Sequence, residues 1–481
     1  MAGIGFRLQR LLSGESYTDW LRAYLYSAVI TTGPMLIVIT TLALIKWQFS
    51  HYVSLEEGQL LLGLIVYAYT ASMLGVAPFQ YIVTRYLADQ HYARQLDRFT
   101  PAYGGALCCV FPLQALVGLA YLTSQPFSVV TKWALLMLLL SVSGTWIAML
   151  FLSAARSFQW IGAAFLCGGV VGYGAAVWFG TQRGFDGFLL GFALGQGVTW
   201  LILSVRIARE FGLPRGPEFF FLRYFKTHPL LALIGVAYTV GIWVDKWCFW
   251  FSDAGNAIGG NLRVCFAYDT PMFLAFLTIV PSMAFFLVQI ETNFVRVYWS
   301  YYHAIRQRAP LTTIRAHETN VRETITTQLR RFALFQGLVT GVIILFFLEI
   351  SEFFQLNPAQ FGIFRIGLLG AFLQMGILII LTFFFYFDWQ REALVLTGLF
   401  AVLNGGFALG TLAVGLPAYG FGFAAASFIT LLWGTIRLYE RVEALTFITF
   451  MHQPITPPPQ EFEAEARRRP VTLDEPSFGV S

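Results

Sequence analysis

Twelve apolar segments recur along the 481-residue chain, and they limit the possible folds more than any other feature of the sequence. Each is close to the ~20 residues that a helix needs to cross the ~30 Å hydrocarbon core of a bilayer. Only 12% of the residues are charged, against about 25% in soluble proteins. We therefore predict an all-α polytopic membrane protein with twelve transmembrane helices. The predicted helices cover residues 23–45, 60–83, 101–122, 133–153, 160–181, 187–205, 229–251, 268–290, 332–354, 361–387, 393–414 and 418–438.

The distribution of basic residues predicts how these helices are oriented. If the N-terminus is placed in the cytoplasm, 25 of the 31 lysine and arginine residues fall on the cytoplasmic side. Cytoplasmic loops of membrane proteins carry an excess of these residues. The distribution therefore predicts twelve spans with both termini in the cytoplasm.

A basic, proline-containing loop at residues 208–228 divides six predicted spans from six. Many transporters are built from two similar halves, so we predict a six-helix bundle at residues 23–207 and another at residues 229–438. Residues 1–22 are predicted to form an amphipathic interfacial helix. Residues 439–481 are predicted to form a cytoplasmic, largely disordered tail.

The C-terminal bundle is predicted to contain a cytoplasmic helical insertion at residues 291–331. Aromatic residues at helical spacing continue the eighth helix to near Pro310, and a second, basic helix follows at residues 312–331. Anionic lipid and a cytosolic protein partner would both fit the charges of this second helix. The sequence leaves the two roles open.

Two opposite charges, Asp245 and Lys246, lie inside the seventh predicted span. A charged side chain at the centre of a membrane helix costs about 2.5–3.5 kcal/mol on insertion scales, so it usually indicates a polar path or a partner. The face of Lys246 carries three tryptophans at helical spacing, Trp243, Trp247 and Trp250. We predict that this face lines a polar, aromatic cavity between helices. The alternative is an interfacial tryptophan belt from which Lys246 reaches the headgroups.

Three further charges are predicted at or near membrane depth in the C-terminal bundle, and these are Asp269, Glu349 and Arg365. Adjacent residues of a helix point about 100° apart, so Asp245 and Lys246 are each expected to bind a partner on another helix. Lys246 with Asp269 and Asp245 with Arg365 are two candidate pairs, between which the sequence does not choose. A static ion pair is the alternative to a functional role for each.

Aromatic and helix-breaking residues add candidates for a substrate path. Four tyrosines of the first half offer flat faces for sugar rings, although such residues pack more often in protein cores: Tyr24, Tyr26, Tyr67 and Tyr69. Proline and glycine kink membrane helices, and kinked helices line many transport paths. The predicted hinge residues are Gly33, Pro34, Pro78 and Pro271.

Signatures of other functional classes are missing from the sequence. It has no Walker-type phosphate loop and no CxxC spacing among its five cysteines, and its six histidines lie in or beside loops. We therefore expect no enzyme activity, no cofactor and no metal site. The basic residues follow the predicted topology, so they give no support for nucleic-acid binding.

Three motifs make the chain similar to the PelG family of bacterial exopolysaccharide exporters. They are residues 1–6 with residues 22–26 and Gly33-Pro34, then residues 84–89 (TRYLAD), then Asp245-Lys246-Trp247. The resemblance extends to about residue 441. It implies the fold of the MOP flippase superfamily, which is also that of MATE transporters. In that fold two six-helix bundles surround a central cavity that opens alternately to each side.

The resemblance also implies a location and partners. The location is the bacterial inner membrane, and the implied partners are a cytosolic Pel glycosyltransferase and the membrane subunits PelD and PelE, besides membrane lipid. Together with the charged cavity, it leads us to expect a transporter that moves a hexosamine-rich polymer to the periplasm. Two rivals stay open. One is a cation-coupled small-molecule exporter of MATE type, with Asp245 or Asp269 as its ion site, and the other is a non-transporting scaffold of the synthase.

Overall fold

The computed structural model describes residues 27–28, 32–49, 54–154, 158–213 and 216–451. Almost all of these residues are helical, as expected for backbone that must satisfy its own hydrogen bonds inside hydrocarbon. The predicted interfacial helix at residues 1–22 lies outside the described residues, and so do residues 452–481 of the predicted tail. The prediction of an all-helical polytopic fold is confirmed.

The N-terminal group of helices is formed by residues 33–211. It consists, in the described chain, of α1 (Gly33–Phe49), α2 (Leu55–Tyr92), α3 (Phe99–Thr123), α4 (Val129–Ala154), α5 (Phe158–Arg183) and α6 (Phe185–Phe211), with a 3-10 turn at Leu96–Arg98. Helix α4 packs against α2, α3 and α6, and α1 packs against α5. Helices α5 and α6 approach so closely that a Cβ on Gly191 would lie 2.1 Å from the backbone nitrogen of Ala176. Such small-residue contacts are typical of packing between membrane helices.

The linker at residues 216–228 crosses to the C-terminal group, which residues 229–443 form. The linker holds a 3-10 turn at Phe220–Arg223 and α7 (Tyr224–Thr227). The C-terminal group and the segment after it consist of α8 (Pro229–Trp250), β1 (Asn256–Gly259), β2 (Leu262–Val264), α9 (Phe266–Leu277), α10 (Val280–Gln289), a π turn (Ile290–Phe294), α11 (Val295–Arg306), α12 (Leu311–Leu345), α13 (Phe347–Phe353), α14 (Pro358–Tyr386), α15 (Gln390–Val414), a 3-10 turn (Leu416–Ala418), α16 (Phe421–Glu443) and α17 (Leu445–Met451). Strands β1 and β2 form an antiparallel hairpin.

Helix α2 makes the most extensive contact between the two groups, and its partner is α8. Near the middle of this contact a Cβ on Gly235 would lie only 2.1 Å from the carbonyl oxygen of Ala77, so the two backbones touch. Within the C-terminal group α8 packs on α15, while α14 packs on α9 and α16. We call the end of the helices beside β1 and β2 the hairpin end, and the end beside residues 216–228 the linker end.

Eleven helical segments of the described chain are long and apolar enough to cross a membrane. Helix α1 is apolar but has only 17 residues there, and much of the predicted span at residues 23–45 lies outside the described chain. The count of twelve therefore stays a prediction. The other predicted spans each correspond to one of the eleven segments.

Three predicted boundaries differ from the structure. The eighth span is broken between α9 and α10 and again at the π turn before α11. The basic helix predicted at residues 312–331 and residues 332–345 of the ninth span form one continuous helix, α12, because no residue that ends a helix separates them. The rest of the ninth span lies in α13. Helix α16 continues to Glu443 and α17 follows it, so residues 439–443 and 445–451 of the predicted tail are helical.

Candidate functional site at the hairpin end of α8

Helix α8 carries a buried ion pair in its last two turns. The Lys246 ammonium lies 3.1 Å from a carboxylate oxygen of Asp245, and the two side chains are only 12% and 1% exposed. Tyr268 of α9 donates a hydrogen bond of 2.7 Å to the same carboxylate. Lys246 also donates to the carbonyl of Ile242 at 3.1 Å. Both charges therefore have partners inside the C-terminal group.

The expectation that Lys246 binds an acid on another helix is wrong, and neither candidate pair forms between the described residues. Lys246 binds the neighbouring Asp245 instead of Asp269. Its four-carbon stem bends back along the helix, so the 100° angle between adjacent residues does not separate the charged groups. Arg365 is exposed, and its guanidinium lies 4.1 Å from the ring centre of Phe347 rather than beside Asp245.

Aromatic rings surround the ammonium of Lys246. It lies 5.2 Å from the ring centre of Phe276 and 5.9 Å from those of Phe423 and Trp243. Ring faces attract cations at these distances. An ion pair in such surroundings loses several kcal/mol of hydration per ion, and its own attraction offsets this only with good geometry and further hydrogen bonds. The chain therefore keeps a costly pair where apolar residues would pack more simply, as functional sites in membranes often do.

Asp269 is the second buried acid of the cluster. One of its oxygens accepts a hydrogen bond from the indole of Trp250 at 2.7 Å and another from the backbone N–H of Cys265 at 3.1 Å. The other oxygen is buried and has no hydrogen-bond partner among the described atoms. A buried acceptor without a partner is rare in native proteins, and it leaves Asp269 able to accept one more hydrogen bond.

Tyr67 of α2 connects this cluster to the N-terminal group. Its ring lies 4.8 Å from that of Trp250, and its hydroxyl donates to the carbonyl of Arg263 at 2.7 Å. The side chain of Arg263 in turn donates to the carbonyls of Ser252 and Gly255 at 3.0 and 2.7 Å. The hairpin is thereby fastened to α2. We call the set of Tyr67, Trp250, Arg263 and Asp269 the hairpin-end contact.

The three tryptophans of α8 are buried to different degrees, and the cavity predicted along their face stays a prediction. Trp250 is 1% exposed. The rings of Trp243 and Trp250 meet edge to face at 6.3 Å, and the indole N–H of Trp243 is buried without a hydrogen-bond partner among the described atoms. Trp247 is half-buried and packs on the core of the C-terminal group.

Other predicted site residues lie away from this cluster. Glu349 of α13 and Arg365 of α14 lie on the surface of the chain and not in the buried cluster. The hydroxyl of Tyr69 is buried on α2 and has no partner among the described atoms. Tyr24 and Tyr26 lie outside the described residues. Sequence reasoning missed Tyr268 and Arg263, and the only signal for Tyr268 was its position beside Asp269 at the start of a span.

The predicted hinge residues differ in their surroundings. Gly33 and Pro34 are buried at the first turn of α1. Pro78 lies inside the continuous α2, next to the point where α2 meets Gly235. Helix α9 runs through Pro271 without a break, and the break comes after Leu277. Their role as hinges stays a prediction.

A cavity of about 380 Å³ lies beside Tyr67, between α2, α3, α4 and the loop that follows α8. Its wall is mainly apolar and includes Gln114 and Tyr121 from the N-terminal group. Phe251 and Asn261 close it from the other group. The volume is within the range of small-molecule sites, about 300–1,000 Å³.

Comparison with known protein families identifies the family of this chain. The family model of PelG, described as "Putative exopolysaccharide Exporter (EPS-E)", matches residues 1–450. Among curated proteins no significant match occurs.

Among solved structures the chain is similar to MATE transporters. An outward-facing multidrug resistance MATE transporter of the MOP superfamily is 15% identical with a TM-score of 0.57, and it covers 87% of this chain and 96% of its own. An inward-facing one is 14% identical with a TM-score of 0.56, covering 87% and 99%. A MOP superfamily transporter from Pyrococcus furiosus, whose binding pocket has reversed polarity, is 16% identical with a TM-score of 0.54, covering 87% and 96%. The fold is therefore MATE-like, as predicted.

Proposed function

Because the chain belongs to the PelG family, we propose that it is an inner-membrane transporter that moves a hexosamine-rich exopolysaccharide from the cytoplasm to the periplasm. The MATE-like fold and the many apolar helices support a transporter rather than an enzyme. The observation that carries the proposal is the buried ion pair of Asp245 and Lys246. It lies one helical turn from Trp250, where α8 meets α2. A charged pair beside the contact between the two helix groups is better explained by a polar path through the membrane than by packing.

In the proposed cycle the two predicted bundles, residues 23–207 and 229–438, move apart to expose this face of α8. Tyr67 covers Trp250 in the present conformation. A sugar ring therefore reaches Trp250 only after α2 separates from α8. The three tryptophans of α8 would then contact the apolar faces of the sugar rings.

The charged residues would bind the polar groups of the polymer. Asp269 offers a free acceptor oxygen to a hydroxyl or an acetamido N–H. Lys246 and Asp245 offer a donor and an acceptor close to each other. Asp269 orients the indole of Trp250 through their hydrogen bond, and Trp250 in turn packs on Tyr67 of the other group at the hairpin end.

The proposed orientation places the linker end in the cytoplasm. It rests on the 25 of 31 basic residues that the predicted topology places on that side. Coupling to a cytosolic Pel glycosyltransferase and to PelD and PelE is part of the proposal. The polar, mostly exposed first half of α12, which extends beyond the apolar part of that helix at the linker end, would be the surface for such a partner.

A second candidate function is a cation-coupled small-molecule exporter. The likeness to multidrug resistance MATE transporters favours it, although this likeness speaks for the fold alone. In that case Asp269 or Asp245 would bind the coupling ion. Export of a cationic dye driven by a sodium or proton gradient, without any polysaccharide, would identify it.

The test is reconstitution of the transporter with its synthase in vesicles, followed by measurement of polymer protected inside. Asp245→Asn should lower polymer transport while the protein stays inserted at its normal level, because the amide no longer balances the ammonium of Lys246. Asp253→Asn is the matched control, since Asp253 is an exposed acid of the same region. Normal transport by the Asp245→Asn protein would remove the ion pair from the mechanism.

A further inference from the structure

A second contact joins the two helix groups at the linker end of α2, where none of the predicted site residues lies. The rings of Tyr81 in α2 and Phe385 in α14 lie 4.6 Å apart. One turn further along α2, the Arg85 guanidinium lies 3.4 Å from a carboxylate oxygen of Asp388. Residues four apart share a helix face, so α2 presents a ring and a charge together to the end of α14.

Asp388 is held in place by an unusual turn. It lies two residues after the end of α14 and has a φ of +57°, a conformation that aspartate tolerates better than most residues. Its backbone N–H donates to the carbonyl of Phe385, and the side chain of Gln390 donates to its carboxylate at 2.9 Å. The turn therefore fixes the carboxylate beside α2.

The linker joins the same contact through Asp89. This residue lies one turn beyond Arg85 and pairs with it at 3.4 Å. Tyr224 of α7 donates a hydrogen bond to Asp89 at 2.9 Å. Burial, and then the neighbouring Asp89 carboxylate, raises the pKa of Tyr224 to about 12, so its hydroxyl keeps the proton that it donates. Arg85 is thus held by one acid of its own helix and one acid of the other group.

We propose that Arg85 and Asp388 form a latch that closes the linker end of the pathway and opens once in each transport cycle. The proposal rests on the transporter function given above and adds the residues that close its second end. The side chains of Arg85 and Asp388 are 36% and 53% exposed. An ion pair so exposed changes an equilibrium by roughly two- to fivefold. A latch of this strength favours the closed state, and little free energy is needed to open it.

The test uses a cysteine reporter behind the latch. Ile82 of α2 is fully buried between the latch and the rest of the α2–α8 contact. With the five native cysteines replaced, Ile82→Cys is labelled by a membrane-impermeant maleimide added to the linker side. Asp388→Arg, which sets two cations against each other, should raise the labelling rate roughly two- to fivefold. Asp388→Asn should raise it less.

Adding Arg85→Glu to Asp388→Arg restores an ion pair of reversed direction. This double variant should remove at least half of the increase, although the introduced glutamate then also repels Asp89. The matched control is the reversed pair Arg437→Glu/Glu440→Arg, whose members lie within α16 and are 42% and 54% exposed. It should leave labelling unchanged. Labelling of Asp388→Arg at the parent rate, or no recovery in the double variant, overturns the latch.

Polymer transport measured in the same proteins separates the latch from the proposed function. Labelling requires no substrate, so it reports the latch alone. Increased and rescued labelling supports the latch whether or not polymer transport follows it. If polymer transport is absent from every variant and from the parent protein, while labelling still responds as expected, the latch stands and the polysaccharide function is rejected.

Discussion

The two ends of the α2 contact are closed by different chemistry. At the hairpin end, Trp250 is 1% exposed and is held between the ring of Tyr67 and a hydrogen bond to Asp269. At the linker end, the pair of Arg85 and Asp388 is 36% and 53% exposed. Hydrogen bonds in a buried site are strengthened by the low dielectric there, whereas exposed ion pairs are screened by water and salt. The contact that joins the groups at the hairpin end, made by Tyr67 with the ring of Trp250 and with the carbonyl of Arg263, is therefore expected to be tight, and the one at the linker end weak.

Because its two contacts differ, helix α2 alone can take part in closing both ends of the proposed pathway. Helix α2 has 38 residues and touches the C-terminal group at both ends. Between those ends its backbone meets α8 at Gly235, where a Cβ would lie 2.1 Å from the carbonyl oxygen of Ala77. If α2 tilts about this close contact, one end of α2 moves away from the C-terminal group while the other end moves closer to it. We expect the linker end to open more readily, because less free energy holds it.

The largest expected effect comes from breaking the buried ion pair. Lys246→Met leaves the buried carboxylate of Asp245 without its cation, and a loss of this kind costs about 3–5 kcal/mol. Arg85→Met at the linker end removes an exposed charge, which costs about 0–1 kcal/mol. Unfolding of the purified proteins in mixed micelles measures both. Equal losses in the two variants would show that the ends do not differ as the exposures indicate.

A second prediction concerns the point where α2 and α8 touch. Gly235→Ala places a methyl group against the carbonyl of Ala77 and should lower the free energy of unfolding by about 1–3 kcal/mol. Accessibility should increase at both ends of α2. Gly398→Ala is the control, because a Cβ at that helix position meets no atom within 4 Å. If Gly235→Ala left accessibility unchanged at both ends, the contact would not set the separation of α2 and α8.

The sequence predicts the helices well and the pairings between them badly. Helix α8 was expected at residues 229–251 and runs from Pro229 to Trp250, because its apolar length and first proline mark it clearly. The sequence does not predict the partner of Lys246, because a helical wheel shows the direction in which a side chain leaves the helix and not how a long side chain bends. The structure shows it curled back onto Asp245.

Contacts between distant residues account for most of what was missed. Tyr67 and Arg263 are separated by 196 positions, and neither charge nor periodicity connects them. Arg85 lies in the motif at residues 84–89, one of those that carry the resemblance to the PelG family. Its partner Asp388 follows a helix without such a motif. Only the packing of α2 against the C-terminal group brings these residues together.

A third prediction tests the hairpin-end contact. Trp250→Phe keeps a ring beside Tyr67 but removes the N–H that Asp269 accepts. The carboxylate then keeps only the backbone donor of Cys265, and an under-satisfied buried acceptor costs about 1–3 kcal/mol. Labelling of a cysteine placed at Ile258 in the hairpin should accelerate. Ile82→Cys at the linker end should label no faster than in the parent protein, because opening of the hairpin end moves the linker end closer to the C-terminal group. A rise there would contradict this coupling.

The smallest expected effect is that of ionic strength. The screening length falls from about 10 Å at 0.1 M salt to about 3 Å at 1 M. The half-exposed pair of Arg85 and Asp388 should weaken over this range, so labelling of Ile82→Cys should rise by no more than the roughly fivefold that an exposed pair is worth. Labelling at Ile258 should not rise, because buried hydrogen bonds are hardly screened. A stronger response to salt at the hairpin end than at the linker end would reverse the assignment of tight and weak closures.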